Sequence, residues 1–438
     1  MTAAPMASGR IRAGELPAFA WSFLYFFCVL SAYYVIRPVR DQLTGAVGST
    51  QLPWFYLAVF VATLALTPVF AWLVGRFPRR VVIPVVYLFF IGCLAGFVPL
   101  FTHEGLLSPR QLGIVFFVWI SVFNLFVVSV FWSFMSDIWS EDQARRLFPV
   151  IAVGGSLGSL VGPSMTLVLV DIIGVAPLLL VAVALLLVAI GCAAMLGRWA
   201  DAFGSRRADP TQGRAIGGSM WDGLKQIFAN PVMRTMAVLM VLGDFIGTVN
   251  YALVVDYSKA TFTTAAQRTE FAAVLDLSTN LLTIVVQLTV ARWLLTRFGA
   301  APAIALHAGA TMLVMLLVVL ADDPHAIAIG TLPWVGVALV VSRGLAYGAL
   351  GPARESLFAQ VPRELRYKGK NAVDTAVWRF GDLVVAAGMN LARSAGVVTV
   401  GFAALNILPA LLSGVLGWRL ARRIEGAAAT PPPVPAVR

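Results

Sequence analysis

Apolar runs of bilayer length follow one another along almost the whole chain, with only short turns between most of them. A helix needs about 20 such residues to cross the hydrocarbon core. In lipid, each backbone polar group must find its partner within the protein, so a spanning segment is a helix or part of a closed barrel. Runs this long and this uniformly apolar are helical, because a barrel strand alternates polar and apolar positions. Twelve spans are predicted, over 17–36, 53–75, 81–101, 112–135, 148–170, 175–197, 231–255, 271–296, 301–321, 329–351, 372–395 and 397–418. Only 12% of the residues are charged, against about 25% in soluble domains. The expected fold class is an all-α polytopic membrane protein.

Basic residues set the expected orientation. With the N-terminus inside, 24 of the 32 Lys and Arg fall on one side, 5 on the other, and Arg343, Arg379 and Arg393 fall within spans. Both termini are therefore expected in the cytoplasm, with the chain in the inner (cell) membrane. The net charge of +11 is mostly this topology signal, and no nucleic-acid partner is implied. Cys28, Cys93 and Cys192 lie in apolar spans and read as small core residues, so neither a disulfide nor a metal site is expected. No cofactor is expected either. The first span is too long for a signal-peptide core and is expected to stay as an anchor.

The one long loop, 198–230, divides the chain into two halves of six spans, 1–197 and 231–421, with 422–438 as a disordered proline-rich tail. Trp221, Leu224, Ile227 and Phe228 in the linker share one helical face, which fits either an interfacial helix or a solvated one. The halves echo each other. Span two ends Trp72-Leu-Val-Gly-Arg76-Phe77 and span eight ends Trp293-Leu-Leu-Thr-Arg297-Phe298. Val35-Ile36-Arg37 through Arg40, at the end of span one, is echoed by Val254-Val255-Asp256 through Lys259 at the end of span seven. Six plus six spans with cytoplasmic termini resemble the major facilitator superfamily. Gly75-Arg-Phe-Pro-Arg-Arg80 is similar to that superfamily's basic loop between spans two and three, without its aspartate.

Few ionisable residues interrupt the spans. Each costs about 2.5–3.5 kcal/mol on insertion scales if it faces lipid. Asp244 in span seven, Arg343 in span ten, and Arg379 with Asp382 in span eleven must be paired or face a cavity. Arg379 and Asp382 are three residues apart and share a helix face, which fits a local salt bridge, a cytoplasmic gate or an anion site. Asp244 could couple transport by carrying a proton, or merely make a polar contact with Asn250 or Arg343. Asp276 and His307 are the other ionisable residues noted within spans, and His307 reads as structural. In the first half, Arg37, Arg40 and Asp41 cluster at the outer end of span one, where the arginines could catch an anion or snorkel to headgroups. Asn124 is a lone amide in span four. Asp137 to Arg146 reads as a short salt-bridged or solvated helix. Gly154, Gly155, Gly158 and Gly162 in span five allow close helix approach.

Three motifs resemble the ATP:ADP antiporters of intracellular bacteria and plastids. They are Arg37-x-x-Arg40-Asp41, Phe131-Trp132-Ser-Phe134 leading through Ala144-Arg-Arg-Leu-Phe148, and Lys368-Gly-Lys370-Asn-Ala372-Val-Asp374. The resemblance implies a nucleotide exchanger with Arg37, Arg40, Lys368 and Lys370 as phosphate ligands. Where that family carries a glutamate in span four, this chain offers Asn124.

The expected function is secondary transport with alternating access, for an anionic or phosphorylated metabolite, with ATP/ADP exchange as the family-based reading. The expected binding residues are Arg37, Arg40, Arg343, Lys368, Lys370 and Arg379, and Asn124, Asp244, Asp374 and Asp382 serve as coupling or gate residues. The partners are a small anion and the lipid bilayer, and the chain is expected to act as a monomer. Two rivals stand beside this: a proton-coupled exporter of drugs or organic ions, and a non-transporting scaffold or receptor. No span carries a catalytic constellation, so an enzyme is not expected.

Overall fold

Apolar runs with polar or glycine punctuation become long helices joined by tight corners. The computed structural model describes residue 12 and residues 14–77, 79–103, 105–202, 229–360 and 378–429. Within them the helices are α1 (Leu16–Val47), α2 (Leu52–Arg76), α3 (Arg79–Thr102), α4 (Pro109–Ile138), α5 (Glu141–Ile173) and α6 (Val175–Ala202). The second series is α7 (Pro231–Thr261), α8 (Ala265–Phe298), α9 (Ala300–Leu320), α10 (Trp334–Ala359), α11 (Trp378–Ser394) and α12 (Thr399–Ala429). A two-stranded antiparallel hairpin, β1 (Ile327–Ile329) and β2 (Leu332–Pro333), precedes α10. Eleven helices among the described residues are long and apolar enough to cross a membrane.

The chain packs into two compact units. One holds α1 up to Asp41, α2 from Val61, α3 to α6, and Ala265–Val274 at the start of α8. The other holds Gln42–Phe60, α7, α8 from Leu275, and α9 to α12.

In the first unit, α5 lies against α1 through its glycines. A Cβ at Gly158 would stand 2.5 Å from the Phe27 carbonyl oxygen, and one at Gly162 would stand 2.7 Å from Tyr34 Cβ. Aromatic edges fill the space between α3 and α4, with Phe97 and Phe116 centroids 4.9 Å apart and Phe90 and Phe123 5.2 Å apart. In the second unit, Met233, Ile304, Leu357, Phe358 and Leu420 pack α7, α9, α10 and α12 into one apolar core. Here α8 and α10 each contain a π turn, Gln287–Ala291 and Ala346–Leu350, and a Cβ at Gly348 would stand 2.9 Å from the Thr283 carbonyl oxygen.

The internal echo is three-dimensional. Trp72 meets Phe77 edge-on at 5.7 Å, and Trp293 meets Phe298 edge-on at 5.2 Å. The same six-residue pattern closes α2 and α8 in the same way.

Several boundaries differ from expectation. Span one continues past residue 36 to Val47, with Pro38 and Gly45 both inside the helix. Span seven runs to Thr261. Span ten starts after the hairpin, at Trp334 rather than 329, and ends at Ala359. The stretch 137–146 is a corner, not a separate helix. Ser140 caps α5 in a capping box with Gln143, and Arg146 pairs with Glu15 at 2.9 Å. Of predicted span eleven, residues 378–394 are described and are helical throughout, and 372–377 lie outside the described residues. The tail expected from 422 is helical to Ala429, where Glu425 accepts the Ala300 N–H at 2.7 Å and so caps α9. The linker face Trp221, Leu224, Ile227 and Phe228, and residues 430–438, lie outside the described residues.

Candidate functional site

Four charged residues of the second unit, Asp244 of α7, Arg343 of α10, and Arg379 and Asp382 of α11, converge where α7 meets α11. Asp244, Thr248 and Tyr251 follow one face of α7 at spacings of four and three, and Arg379 and Asp382 follow one face of α11. The two helices interlock. Thr248 Oγ1 donates to Asp382 Oδ1 at 2.7 Å. In return, Asp244 lies over Gly381, where any Cβ would strike its Oδ2. Asp244 is only 8% exposed, and its Oδ2 accepts no hydrogen bond from the described residues. Asp382 and Arg379 both lie within Coulombic reach of Asp244, and Arg343 within reach of Asp382. The Arg343 guanidinium carbon is 5.6 Å from the centre of the Tyr251 ring. Two carboxylates and two guanidinium groups thus share one neighbourhood, Asp244 buried and the other three half-buried, each charge answered by an opposite one.

The expected contact of Asp244 with Asn250 does not form. Asn250 turns to α10 and α12, donating to Ser342 Oγ at 2.8 Å and accepting from Asn406 Nδ2 at 3.3 Å. An asparagine six residues from Asp244 points to a different side of the helix.

In the first unit Arg37 and Arg40 do not reach the end of their helix. Arg37 is 7% exposed, with its guanidinium carbon 5.5 Å from the Tyr34 ring centre. Arg37 thus lies inside α1, not at its outer end. The ten further residues of α1 extend about 15 Å beyond it. Arg40 pairs with Asp41 at 2.6 Å and stands over the Phe117 ring at 4.8 Å. Asn124 is half-buried in α4, and His307 is buried in α9. Lys368, Lys370 and Asp374 lie outside the described residues.

Sequence reasoning missed Thr248 and Gly381. The signal was present: a hydroxyl one turn from Asp244, and a glycine immediately before Asp382.

The sequence profile of the Major Facilitator Superfamily matches residues 22–371. No curated protein matches the sequence. Among solved structures, the nucleoside transporter NupG superposes with a TM-score of 0.60 at 15% identity, covering 93% of this chain and 98% of its own. A bacterial homologue of the iron transporter ferroportin, in its inward-facing state, gives 0.64 at 12% identity, covering 94% and 100%. The xylose transporter XylE from E. coli gives 0.59 at 14% identity, covering 90% and 94%. At these identities the likeness is one of fold.

Proposed function

Because the chain belongs to the Major Facilitator Superfamily and is a multi-pass secondary transporter of that type, we propose that its cargo is an organic anion, with phosphorylated metabolites, ATP and ADP first, as the class to test. The observation that carries this reading is the α7–α11 charge cluster. At rest, Arg343 and Arg379 are answered by Asp244 and Asp382. An arriving anion can take over a guanidinium fork, whose planar donors match phosphate and carboxylate. The carboxylate displaced from that fork is then balanced by a proton or held until a counter-anion returns the arginine. Arg37 in the first unit and the motif lysines Lys368 and Lys370 add cations, the latter by resemblance to nucleotide antiporters. Asp374 and Asn124 are the remaining gate candidates. We place the chain in the cell membrane as a monomer, with both termini cytoplasmic, from its basic-residue bias.

A second reading is favoured by Asp244. A buried carboxylate oxygen with no donor among the described residues, beside a second carboxylate, suits proton coupling. Family membership favours transport over the scaffold reading.

Vesicle transport separates these. Purified protein in ATP-loaded vesicles is expected to take up labelled ADP by exchange, and Arg379→Gln to abolish it. Uptake driven by a pH gradient and lost in Asp244→Asn identifies proton coupling instead. If neither nucleotides nor other organic phosphates move, and cationic or neutral solutes do, the anion assignment is wrong.

A further inference from the structure

The second unit has a polar centre as well as an apolar one. Asn250 of α7, His307, Thr311 and Met315 of α9, Ser342 of α10 and Asn406 of α12 are none of them more than 2% exposed, and all four helices belong to that unit. Five of the six residues join into a chain that begins and ends on α9. The His307 ring bonds the Ser342 backbone carbonyl. Ser342 Oγ accepts from Asn250 Nδ2 at 2.8 Å and donates to the Leu339 carbonyl at 3.2 Å. Asn250 Oδ1 accepts from Asn406 Nδ2 at 3.3 Å, and the same Asn406 Nδ2 lies 3.6 Å from Met315 Sδ. His307 and Met315 are two turns apart, about 12 Å along α9, and Thr311 stands midway on the same stripe. The register of α9 against α12 agrees. A Cβ at Gly417 would meet Ile304 and one at Gly414 would meet Ala308, so the antiparallel pair brings Asn406 to the level of Met315, one turn from Thr311.

Three buried polar atoms along this chain have no hydrogen-bond partner among the described residues: His307 Nδ1, Thr311 Oγ1 and Asn406 Oδ1. In a helix interior a hydroxyl commonly returns to the carbonyl four residues back, as Thr283 does to Thr279 at 2.8 Å. Thr311 makes no such bond. The three atoms cannot satisfy one another. The Asn406 amide hydrogens go to Asn250 and to the Ile246 carbonyl, so its oxygen remains an acceptor. A neutral imidazole that donates one N–H to a carbonyl leaves its other nitrogen an acceptor too. Two acceptors are thus matched by one hydroxyl hydrogen. Water brings two hydrogens and accepts a bond in return, and buried water typically makes about three hydrogen bonds to such groups. We infer that internal water occupies this polar centre, donating to His307 Nδ1 and Asn406 Oδ1 and accepting from Thr311. The amides, hydroxyls, thioether and imidazole around it are neutral, which suits water over a cation, since a charge buried among neutral groups is costly. Bound there, water ties α9 to α12 and, through the amide chain, to α7 and α10. It makes a hydrated counterpart to the apolar core around Met233 and Ile304, whichever solute the protein carries.

Radiolytic footprinting of the purified full chain tests this, because radicals formed from bound water oxidise the side chains beside it even where bulk solvent does not reach. Met315 and Met233 are both fully buried in the second unit, one beside Asn406 and the other in the apolar core. Met315 is expected to be oxidised several-fold faster than Met233. Thr311→Val removes the hydroxyl at nearly constant volume and is expected to bring Met315 down to the Met233 rate. Thr311→Ser is expected to keep Met315 fast. Equal protection of the two methionines in the wild-type chain overturns the water site. Fast oxidation of Met315 that persists in Thr311→Val does so too, since it reports another route of access. Met315 oxidation that depends on added sodium, with choline as the control, identifies a cation in place of water. If Thr311→Val unfolds, seen as acceleration of Met233, the wild-type contrast between the two methionines decides.

Discussion

Thr248→Val removes one hydroxyl from the α7–α11 crossing and leaves the side-chain volume nearly unchanged. The lost bond is short, 2.7 Å, and ends on a carboxylate. Hydrogen bonds to charged groups contribute about 1.5–3 kcal/mol, whereas interhelical polar bonds in membrane proteins average about 0.6 and reach about 1.7 kcal/mol. Because Asp382 keeps Arg379 and Arg343 as electrostatic partners, the upper end of the membrane range applies, about 1.5 kcal/mol. At about 2–4 °C per kcal/mol for a unit of this size, the melting temperature should fall by about 3–6 °C. Thermal unfolding of the detergent-solubilised chain measures it. Thr248→Ser, which keeps the donor, should recover most of the loss. The decisive measurement is a double-mutant cycle with Asp382→Asn, since a real bond makes the two substitutions non-additive. A valine variant that melts with wild type, or strict additivity in the cycle, refutes the interlock. A positioning role further requires that transport velocity fall in Thr248→Val and return in Thr248→Ser.

Two further outcomes follow from the first unit. Gly162→Ala would set a methyl 2.7 Å from Tyr34 Cβ and 2.8 Å from the Ser31 carbonyl oxygen, so α1 and α5 must part. It should destabilise by about 1–3 kcal/mol, while Gly191→Ala, with nothing within 4 Å, should be neutral or stabilising in the same melting assay. For Glu15, burial pushes the carboxyl upward, but hydrogen bonds from Arg146, Gln143 and the Arg12 N–H outweigh it and hold it at about 2, below the ordinary 4.5. Its contribution is therefore complete above pH 4.5 and is lost as the pH falls towards 2. Glu15→Gln should lower the melting temperature at pH 7, with a deficit that narrows between pH 4.5 and 3; a deficit that is constant with pH contradicts the ion pair.

The helices are legible in the sequence because lipid leaves one local solution for each apolar run. Their ends are not, because hydropathy marks where lipid begins and not where hydrogen bonding stops. Arg37 reads as the end of a span, yet α1 carries it buried and continues to Val47. The glycines of α5 are legible as a close-packing face, since only backbone contact explains four of them in nine residues of apolar helix. The four charges within the predicted spans, Asp244, Arg343, Arg379 and Asp382, are legible as a group that needs partners. Which partner each takes depends on helix rotation and crossing, which sequence spacing does not fix. Thus spacing offers Asp244 a partner in Asn250 on its own helix, whereas its neighbours Arg379 and Asp382 are on α11. Asp256 and Arg393 are visible only as an echo and as a stray span charge, because Ser49, the residue that joins them, has no sequence signature.

The pairing of α7 with α11 has a mechanical consequence. At one end of the pair, Gly381 leaves room for Asp244 and Thr248 holds Asp382, so each helix carries a charge that the other accommodates. At the other end, Asp256 and Lys259 of α7 and Asn390 and Arg393 of α11 hold the turn between α1 and α2. Any event that changes the charge balance in the cluster, such as a proton on a carboxylate or an anion on an arginine, alters the force between α7 and α11 where they touch. An apolar seam would absorb such a change by sliding, since hydrophobic burial is non-directional. A directional bond of 2.7 Å at one end and the bonded trio Ser49, Asp256 and Arg393 at the other have discrete made and broken states. Coupling between two sites requires such two-state elements at both. Cutting the bond at Thr248 should therefore change the exchange rate of amides 42–52 as well as transport. Exchange of these amides at the wild-type rate in Thr248→Val would show that the two ends of the pair act independently.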